Sequence, residues 1–204
     1  MDKETARVEA FSDGVFAIAI TLLILNIQVP HNLEGRTGLA DALLGQWASY
    51  LAFLIGFMTI LVVWINHHWM FSLIRQTNNL LLLLNGIMLL GVTIVPFPTA
   101  LLAEYIQRPD RSVALFVYGC NFLLIGVSMN LLWWYASHGY RLIHRNADSQ
   151  AVKSLSVAYR LALLYFCIAF GVSFVSALAA LVMYGILFAF FALFGLARQP
   201  RLNE

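Results

Sequence analysis

Long stretches without a single charged residue constrain the fold of this chain more than any other feature. Five runs lack Asp, Glu, Lys and Arg, and they cover residues 14–33, 42–74, 76–103, 112–140 and 161–197. About 20 apolar residues in a helix cross the hydrocarbon core of a bilayer. Since 61% of the residues are hydrophobic and only 11% are charged, the chain has too few charges to cover a water-facing surface. The sequence therefore predicts an all-α integral membrane protein.

The first four runs each predict one membrane-spanning helix, and the fifth predicts two. One helix over 161–197 would be about 55 Å long, which is too long for a single span. Gly171, Ser173 and Ser176 form a zone of weak helix propensity near the middle of this run. We therefore predict a single transmembrane domain over residues 1–204, with six spans in all. The predicted spans are about 8–29, 42–66, 79–102, 113–136, 158–175 and 178–197.

The positions of the Lys and Arg residues orient these spans. With six spans, both termini lie on the same side of the membrane as the 67–78 and 137–157 connections. Most of the basic residues then fall on that side: Lys3, Arg7, Arg75, Arg141, Arg145, Lys153, Arg160, Arg198 and Arg201. The others are Arg36, Arg108 and Arg111. Because basic residues concentrate in cytoplasmic loops, we predict a multi-pass membrane protein with both termini in the cytoplasm.

The first predicted span combines an apolar stripe with polar residues. At 100° per residue, Phe11, Leu22 and Leu25 fall within about 40° of Ile18, and Thr21 flanks them at about 60°. Asp13 points about 140° away from Ile18. The stripe and the carboxylate therefore serve different surfaces, and we expect Asp13 to find its partner on another helix. The polar candidates in or beside other spans are Asn66, His67, His68, Asn85 and Asn130.

Several kinds of chemistry find no support in the sequence. His67 and His68 point about 100° apart on a helix and have no third ligand at suitable spacing, which argues against a metal site. No nucleophile–base–acid set or phosphate-binding loop is present, so neither an enzyme nor a cofactor is expected. Cys120 and Cys167 lie in apolar runs and are predicted to be small buried hydrophobes. The net charge of +2 gives no reason to expect nucleic-acid binding.

The start of the first span carries a motif. The segment Arg7-x-x-x-Phe11-Ser12-Asp13-Gly14-Val15-Phe16-Ala17-Ile18 resembles the signature that opens the first helix of the transmembrane-protein-175 family. This family comprises the endolysosomal potassium channels and their prokaryotic relatives. The motif is short, and the six-span plan with short loops extends the resemblance loosely over the whole chain.

The resemblance implies a potassium-selective cation channel that lacks the usual carbonyl filter. Animal members of the family carry two six-span repeats per chain, whereas prokaryotic members carry one. The single repeat here implies a homotetramer in the lipid bilayer, with four copies of the first helix around a central pore that conducts K⁺. A single repeat without an organelle signal favours a prokaryotic cell membrane.

The resemblance also assigns roles to residues of the first helix. Ile18 matches the narrow hydrophobic constriction, and Thr21 matches a hydroxyl layer that contributes to selectivity. Leu22 and Leu25 match further layers that face the pore. The family's structural motif, which holds the helices together, is matched by Arg7, Phe11, Ser12 and Asp13.

Two other functions remain open at this stage. The first is a proton-coupled secondary carrier in which Asp13 and a histidine titrate during transport. Inverted repeats and broken helices are typical of carriers, and neither is visible in the sequence. The second is a membrane scaffold that conducts nothing.

Overall fold

The apolar runs form helices in the structure, a computed structural model that describes residues 3–30, 38–144, 147–176, 179–180, 182–186 and 189–190. The helices are α1 (Lys3–Leu22), α2 (Leu39–Leu44), α3 (Trp47–Leu73), α4 (Asn79–Ile94), α5 (Pro96–Tyr105), α6 (Arg111–Ser137) and α7 (Ser149–Ser173). Short 3₁₀ turns extend α1 over Leu23–Asn26 and follow α6 over His138–Tyr140. The predicted all-α class is confirmed.

Within the described residues, five stretches are long and apolar enough to cross a bilayer. They are Glu4–Asn26, Trp47–Leu73, Asn79–Tyr105, Arg111–Tyr140 and Ser149–Ser173. Residues 179–180, 182–186 and 189–190 of the sixth predicted span, 178–197, are helical, and the rest of that span lies outside the described residues. The count of six spans therefore stays a prediction.

Local signals set helix bounds that hydropathy alone did not give. The second span runs over Trp47–Leu73 instead of 42–66, because a turn at residues 45–46 separates it from α2. This shift brings His67 and His68 inside a helix. The fifth span begins at Ser149 instead of 158, because the Asp148 side chain accepts a hydrogen bond from the Gln150 N–H and caps the helix.

The third span is broken where two prolines lie close together. Helix α4 ends at Ile94 and α5 begins at Pro96. Pro96 has no N–H, and its ring clashes with the carbonyl one turn earlier, so the helix cannot run through it unchanged. Proline is well tolerated at the first position of a new helix, which is where α5 starts. Asn26 Nδ2 donates to the Pro96 carbonyl at 3.2 Å and so ties the C-terminal end of α1 to this break.

Helix α6 lies at the centre of the packing. It contacts α4, α5 and α7, whereas α1 packs against α3 and α4 at the side of the bundle. The prediction that Cys120 and Cys167 are buried was wrong, since both side chains are exposed. An apolar run does not reveal which of its positions face the core, because lipid accepts the same residues as the core does.

Backbone hydrogen bonds join the connections that follow α3 and α6. Ile74 and Ile143 form an antiparallel bridge, and the Arg75 N–H donates to the Leu142 carbonyl at 2.8 Å. The Thr5 hydroxyl of α1 donates to the Arg75 carbonyl at 3.0 Å. The start of α1 and the two connections that follow α3 and α6 therefore lie at the same end of the bundle.

The close packing of α6 against α7 predicts a specific sensitivity at Gly119. A Cβ atom at Gly119 would lie 2.5 Å from Phe170 Cδ2 and 2.9 Å from the Tyr184 hydroxyl. We expect Gly119→Ala to destabilise the protein by about 1–3 kcal/mol, because aromatic rings have to move. The measurement is the thermal unfolding midpoint in detergent. Gly86→Ala is the matched control, since no heavy atom lies within 4 Å of its Cβ position. Equal midpoints for the two variants would contradict this account of the packing.

Candidate pore-lining face of the first helix

Helix α1 has two opposed faces. The buried face consists of residues at helical spacing that point into the bundle: Thr5, Glu9, Ser12, Phe16, Ala19 and Leu23. On the other face, the exposed fractions are 67% for Phe11, 62% for Ile18, 42% for Leu22 and 69% for Leu25. The structure therefore brings the three predicted pore residues and Phe11 together on one apolar stripe that the described part of the chain leaves exposed.

Thr21 lies on the exposed side of α1, next to Ile18 and Leu22. Its hydroxyl donates back to the carbonyls of Ala17 and Ile18, both at 2.9 Å. Because the hydroxyl proton is donated to backbone carbonyls of the same helix, Thr21 can act only as a hydrogen-bond acceptor or ligand, through the lone pairs of its oxygen. Such an oxygen can act as a ligand for a hard cation.

The opposite face of α1 enters a hydrogen-bonded chain that joins three helices. Asn85 of α4 donates from Nδ2 to the Ser12 hydroxyl oxygen at 3.0 Å, and Ser12 donates to the Val8 carbonyl at 2.8 Å. Asn85 Oδ1 lies 2.9 Å from Nε2 of His67 on α3. An amide oxygen only accepts, so His67 donates from Nε2. His67 is fully buried, and its ring stacks on Phe71 with centroids 4.3 Å apart.

Two more contacts join α1 to α3. Trp64 Nε1 donates to Asp13 Oδ1 at 2.8 Å. His68 Nδ1 lies 2.8 Å from Glu9 Oε1, with Glu9 largely buried and His68 more than half exposed. We call the seven residues of these contacts the polar clasp: Glu9, Ser12, Asp13, Trp64, His67, His68 and Asn85.

The partner of Asp13 lies on another helix, as expected, but it is not one of the polar candidates named from the sequence. Asn66 donates to the Val62 carbonyl within its own helix, and Asn130 donates to the carbonyls of Gly126 and Tyr159. The sequence analysis singled out neither Trp64 nor Glu9. Two sequence features could have identified Glu9 as a residue that contacts another helix: it is ionisable, and it points about 180° away from Ile18.

Arg7 of the motif does not join the polar clasp. In the part of the chain that the structure describes, the ion pairs are Glu9–His68 and Glu104–Arg108. Arg7 is exposed, on the same side of α1 as the apolar stripe. It borders an open groove of about 580 Å³ that Glu4, Phe11 and Asn79 also line. A role for Arg7 in holding helices together therefore stays a prediction, and no ion pair among the described residues supports it.

The two adjacent histidines serve different helices. His67 contacts α4 through Asn85, and His68 contacts α1 through Glu9. Among the described residues, no three His, Cys, Asp or Glu side chains are close enough together to hold a metal ion.

Comparison with known proteins gives concordant matches. A family model described as the endosomal/lysosomal potassium channel TMEM175 matches residues 7–96. The chain is 47% identical over 191 residues to a potassium channel of Chamaesiphon minutus, covering 93% of this chain and 94% of that one. It is 42% identical over 186 residues to a potassium channel of Streptomyces collinus, covering 90% and 89%. The crystal structure of a lysosomal potassium-selective channel TMEM175 homolog from Chamaesiphon minutus matches with a TM-score of 0.86 and 44% identity, over 95% of this chain and 99% of that one.

The polar clasp predicts that Asn85 contributes strongly to stability. Asn85→Leu keeps the side-chain volume similar but removes the bonds to Ser12 and His67, leaving polar atoms unpaired in an apolar region. We expect a loss of about 1–2 kcal/mol, measured as a lower thermal unfolding midpoint in detergent. Asn79→Leu, at an exposed position at the start of the same helix, is the control and should change the midpoint little. A midpoint for Asn85→Leu at or above that of the unmodified protein would refute the importance of this contact.

Proposed function

Because this chain belongs to the TMEM175 family of potassium channels, we propose that it is a potassium-selective cation channel of the cell membrane. The observation that carries the proposal is the uncovered apolar stripe of α1, with Ile18 at its centre and the polar clasp on the opposite face. A helix anchored on one side by hydrogen bonds and bare on the other is suited to line a path between subunits.

The active form in this proposal is a homotetramer in which four copies of α1 surround the pore. One chain supplies one such stripe, and a single helix cannot enclose a conduit. Phe11, Ile18, Leu22 and Leu25 would then face the axis at successive levels. This chain covers 94% and 89% of the lengths of two potassium-channel relatives, so it corresponds to nearly the whole of each, which supports an assembly of several such chains.

The proposed gate is a pair of apolar rings. Four Ile18 side chains, with four Leu22 side chains one turn away, make a constriction without any polar atom. A narrow apolar constriction expels water and blocks ions, so opening requires the four helices to tilt or rotate until the ring is wide enough to hydrate.

Selectivity in this proposal comes from Thr21 next to the constriction. The hydroxyl donates to the backbone carbonyls, so a ring of four presents oxygen lone pairs that replace part of the hydration shell of an ion. Potassium gives up water more readily than sodium, which favours potassium at a weakly polar constriction. The sequence contains no Thr-Val-Gly-Tyr-Gly segment, and Tyr118–Gly119 lies within α6, where the carbonyls serve the helix.

We propose that both termini lie in the cytoplasm. The basic residues Arg75, Arg141 and Arg145 in the connections that follow α3 and α6 support this orientation. The Thr5 hydroxyl is hydrogen-bonded to the Arg75 carbonyl, and the Arg75 N–H to the Leu142 carbonyl. These bonds support placing the N-terminal end of α1 on the same side of the membrane as those two connections.

The alternative carrier would use Asp13 and a histidine. Asp13 accepts a hydrogen bond from the Trp64 indole, while His67 bonds to Asn85 and His68 to Glu9. Among the described residues, neither of these two histidines is hydrogen-bonded to Asp13. This arrangement favours a structural role for Asp13. A carrier would move a fixed number of protons with each potassium ion, whereas a channel would conduct potassium without any coupled proton transport.

The first experiment is the reversal potential of the purified protein in planar bilayers with opposed potassium and sodium gradients. We expect it to lie close to the potassium equilibrium potential, and Ile18→Asn should increase leak and move it towards zero, because a polar ring hydrates without discriminating. Leu83→Asn, at an exposed position on α4, is a control for adding a polar group to the protein surface. An unchanged reversal potential in Ile18→Asn would remove Ile18 from the selective constriction, and proton-linked uptake without current would favour the carrier.

A second experiment separates the hydroxyl of Thr21 from its shape. Thr21→Val has nearly the same shape but no oxygen, so the preference for potassium should fall while conduction persists. Thr21→Ser keeps the oxygen and should retain the preference. The reversal potential under the same gradients is the readout. Equal selectivity in the Val and Ser variants would show that the hydroxyl layer does not discriminate between the ions.

A further inference from the structure

The exposed face of α1 continues beyond Phe11 to the N-terminal end of the helix, where it is charged. At 100° per residue, Arg7 lies about 20° to one side of Ile18 and Glu4 about 40° to the other side. Exposed residues at alternating steps of three and four run along the whole helix: Glu4, Arg7, Phe11, Gly14, Ile18, Thr21 and Leu25. This is the spacing of helices that pack along a common seam. The two charged residues therefore belong to the same face as the proposed pore lining.

Within one chain these two charges are not neutralised. Among the described residues, neither Glu4 nor Arg7 has an ion-pair partner, although they lie three positions apart on one helix. The Glu4 carboxylate instead accepts a hydrogen bond from the Thr77 hydroxyl at 3.2 Å, just before α4. Both side chains border the open groove of about 580 Å³ next to the start of α4. The groove leaves room for a side chain from outside the chain to reach them.

A ring of identical subunits brings opposite flanks of α1 together. Around a cyclic axis, one flank of each helix faces the other flank of the next helix. Glu4 lies on the flank towards α4, as its bond to Thr77 shows, and Arg7 lies on the other flank. Three residues correspond to about 4.5 Å along a helix axis, which a long arginine side chain can bridge. The two flanks are therefore complementary in charge at the N-terminal end of the ring.

We propose that Arg7 of each subunit forms an ion pair with Glu4 of the neighbouring subunit, so that four such pairs form a charged collar at the N-terminal mouth of the pore. This inference rests on the homotetramer proposed above. Four guanidinium groups without counter-charges would repel one another and would also repel potassium ions that approach the pore. The ion pairs remove both effects, and a planar guanidinium can bind a carboxylate through two hydrogen bonds.

The ring arrangement is what gives these ion pairs their importance. A single exposed ion pair contributes little to stability, whereas several charges in a network contribute more. Each collar residue contacts a neighbour in every one of the four interfaces, so a single substitution changes the charge balance of all of them. The collar would therefore act on both the assembly of the subunits and the entry of ions.

Charge complementation between two kinds of full-length chain tests the proposal. One chain carries Glu4→Arg, which leaves only positive charge in the collar, and the other carries Arg7→Glu, which leaves only negative charge. Expressed alone, each should lose most of its tetramer in detergent, because like charges meet at every interface. Expressed together with tags of different mass, they should form tetramers that contain both chains equally, in excess over random mixing. Native mass spectrometry measures the proportions.

Two further variants serve as controls. A chain with both Glu4→Arg and Arg7→Glu has the charges exchanged, so it should form a normal tetramer and show that both substitutions are compatible with folding. Lys153→Glu, at an exposed position on α7, changes the charge of the chain by the same amount as Arg7→Glu and should leave assembly unchanged.

The potassium current of the tetramers in planar bilayers gives a second readout. Glu4→Gln leaves the Arg7 ring without counter-charges, so most of the current should be lost at low salt and restored at high salt, where the charges are screened. Arg7→Gln leaves a ring of carboxylates, which attract cations, so its current at low salt should not fall.

Two results would overturn the collar while leaving the proposed channel intact. One is a normal tetramer from the chain with exchanged charges but no gain on mixing the two single variants, which would place the ion pair within one chain. The other is a stable tetramer from each single variant alone, which would mean that Glu4 and Arg7 do not meet. An unmodified protein that forms no tetramer would instead overturn the proposed pore and the collar together.

Discussion

In the interior of a bilayer a polar group finds no water, so a polar side chain of a spanning helix costs free energy unless the protein supplies a hydrogen-bond partner. The polar clasp meets this requirement for α1 and thereby determines how α1 is rotated. With Glu9, Ser12 and Asp13 held by α3 and α4, the opposite side of the helix is turned away from the bundle. The uncovered apolar stripe is therefore a consequence of the hydrogen bonds behind it. A free rotation of α1 about its own axis would break all of them together.

Much of this arrangement follows from hydropathy and helical phase. Runs without charge predicted the all-α membrane class, and the angles within the first span separated Ile18 and Leu25 from Asp13. Helix α7 ends at Ser173, within the zone of weak helix propensity seen in the sequence. These features can be read from the sequence because they do not depend on tertiary contacts. A spanning helix needs apolar residues, and an α-helix places each residue at a fixed angle from the next.

The identity of the contacts was harder to predict, because it depends on how helices from distant parts of the sequence meet. Asp13 accepts from an indole rather than from any of the named amides or histidines, and 51 positions along the chain separate it from Trp64. Hydropathy treats tryptophan as an apolar or interfacial residue and overlooks its N–H donor. The helix bounds differ from the predicted ones for a local reason. Single residues determine the Asp148 cap and the turn before Trp47, and a hydropathy average over a window does not detect them.

The two ends of α1 are held by different forces, and this difference bears on how the stripe could move. The N-terminal half carries the polar clasp and the bond from Thr5 to the Arg75 carbonyl. The C-terminal half is held by Leu23, which is fully buried close to Gly56 and Thr99, and by the bond from Asn26 to Pro96. Apolar packing changes gradually as side chains repack, whereas a hydrogen bond within a membrane is lost over a short displacement. A tilt that pivots on the clasp and slides the C-terminal half therefore preserves more of these interactions than a rotation of the whole helix. Ile18 and Leu22 lie beyond the clasp, on the half that such a tilt displaces most.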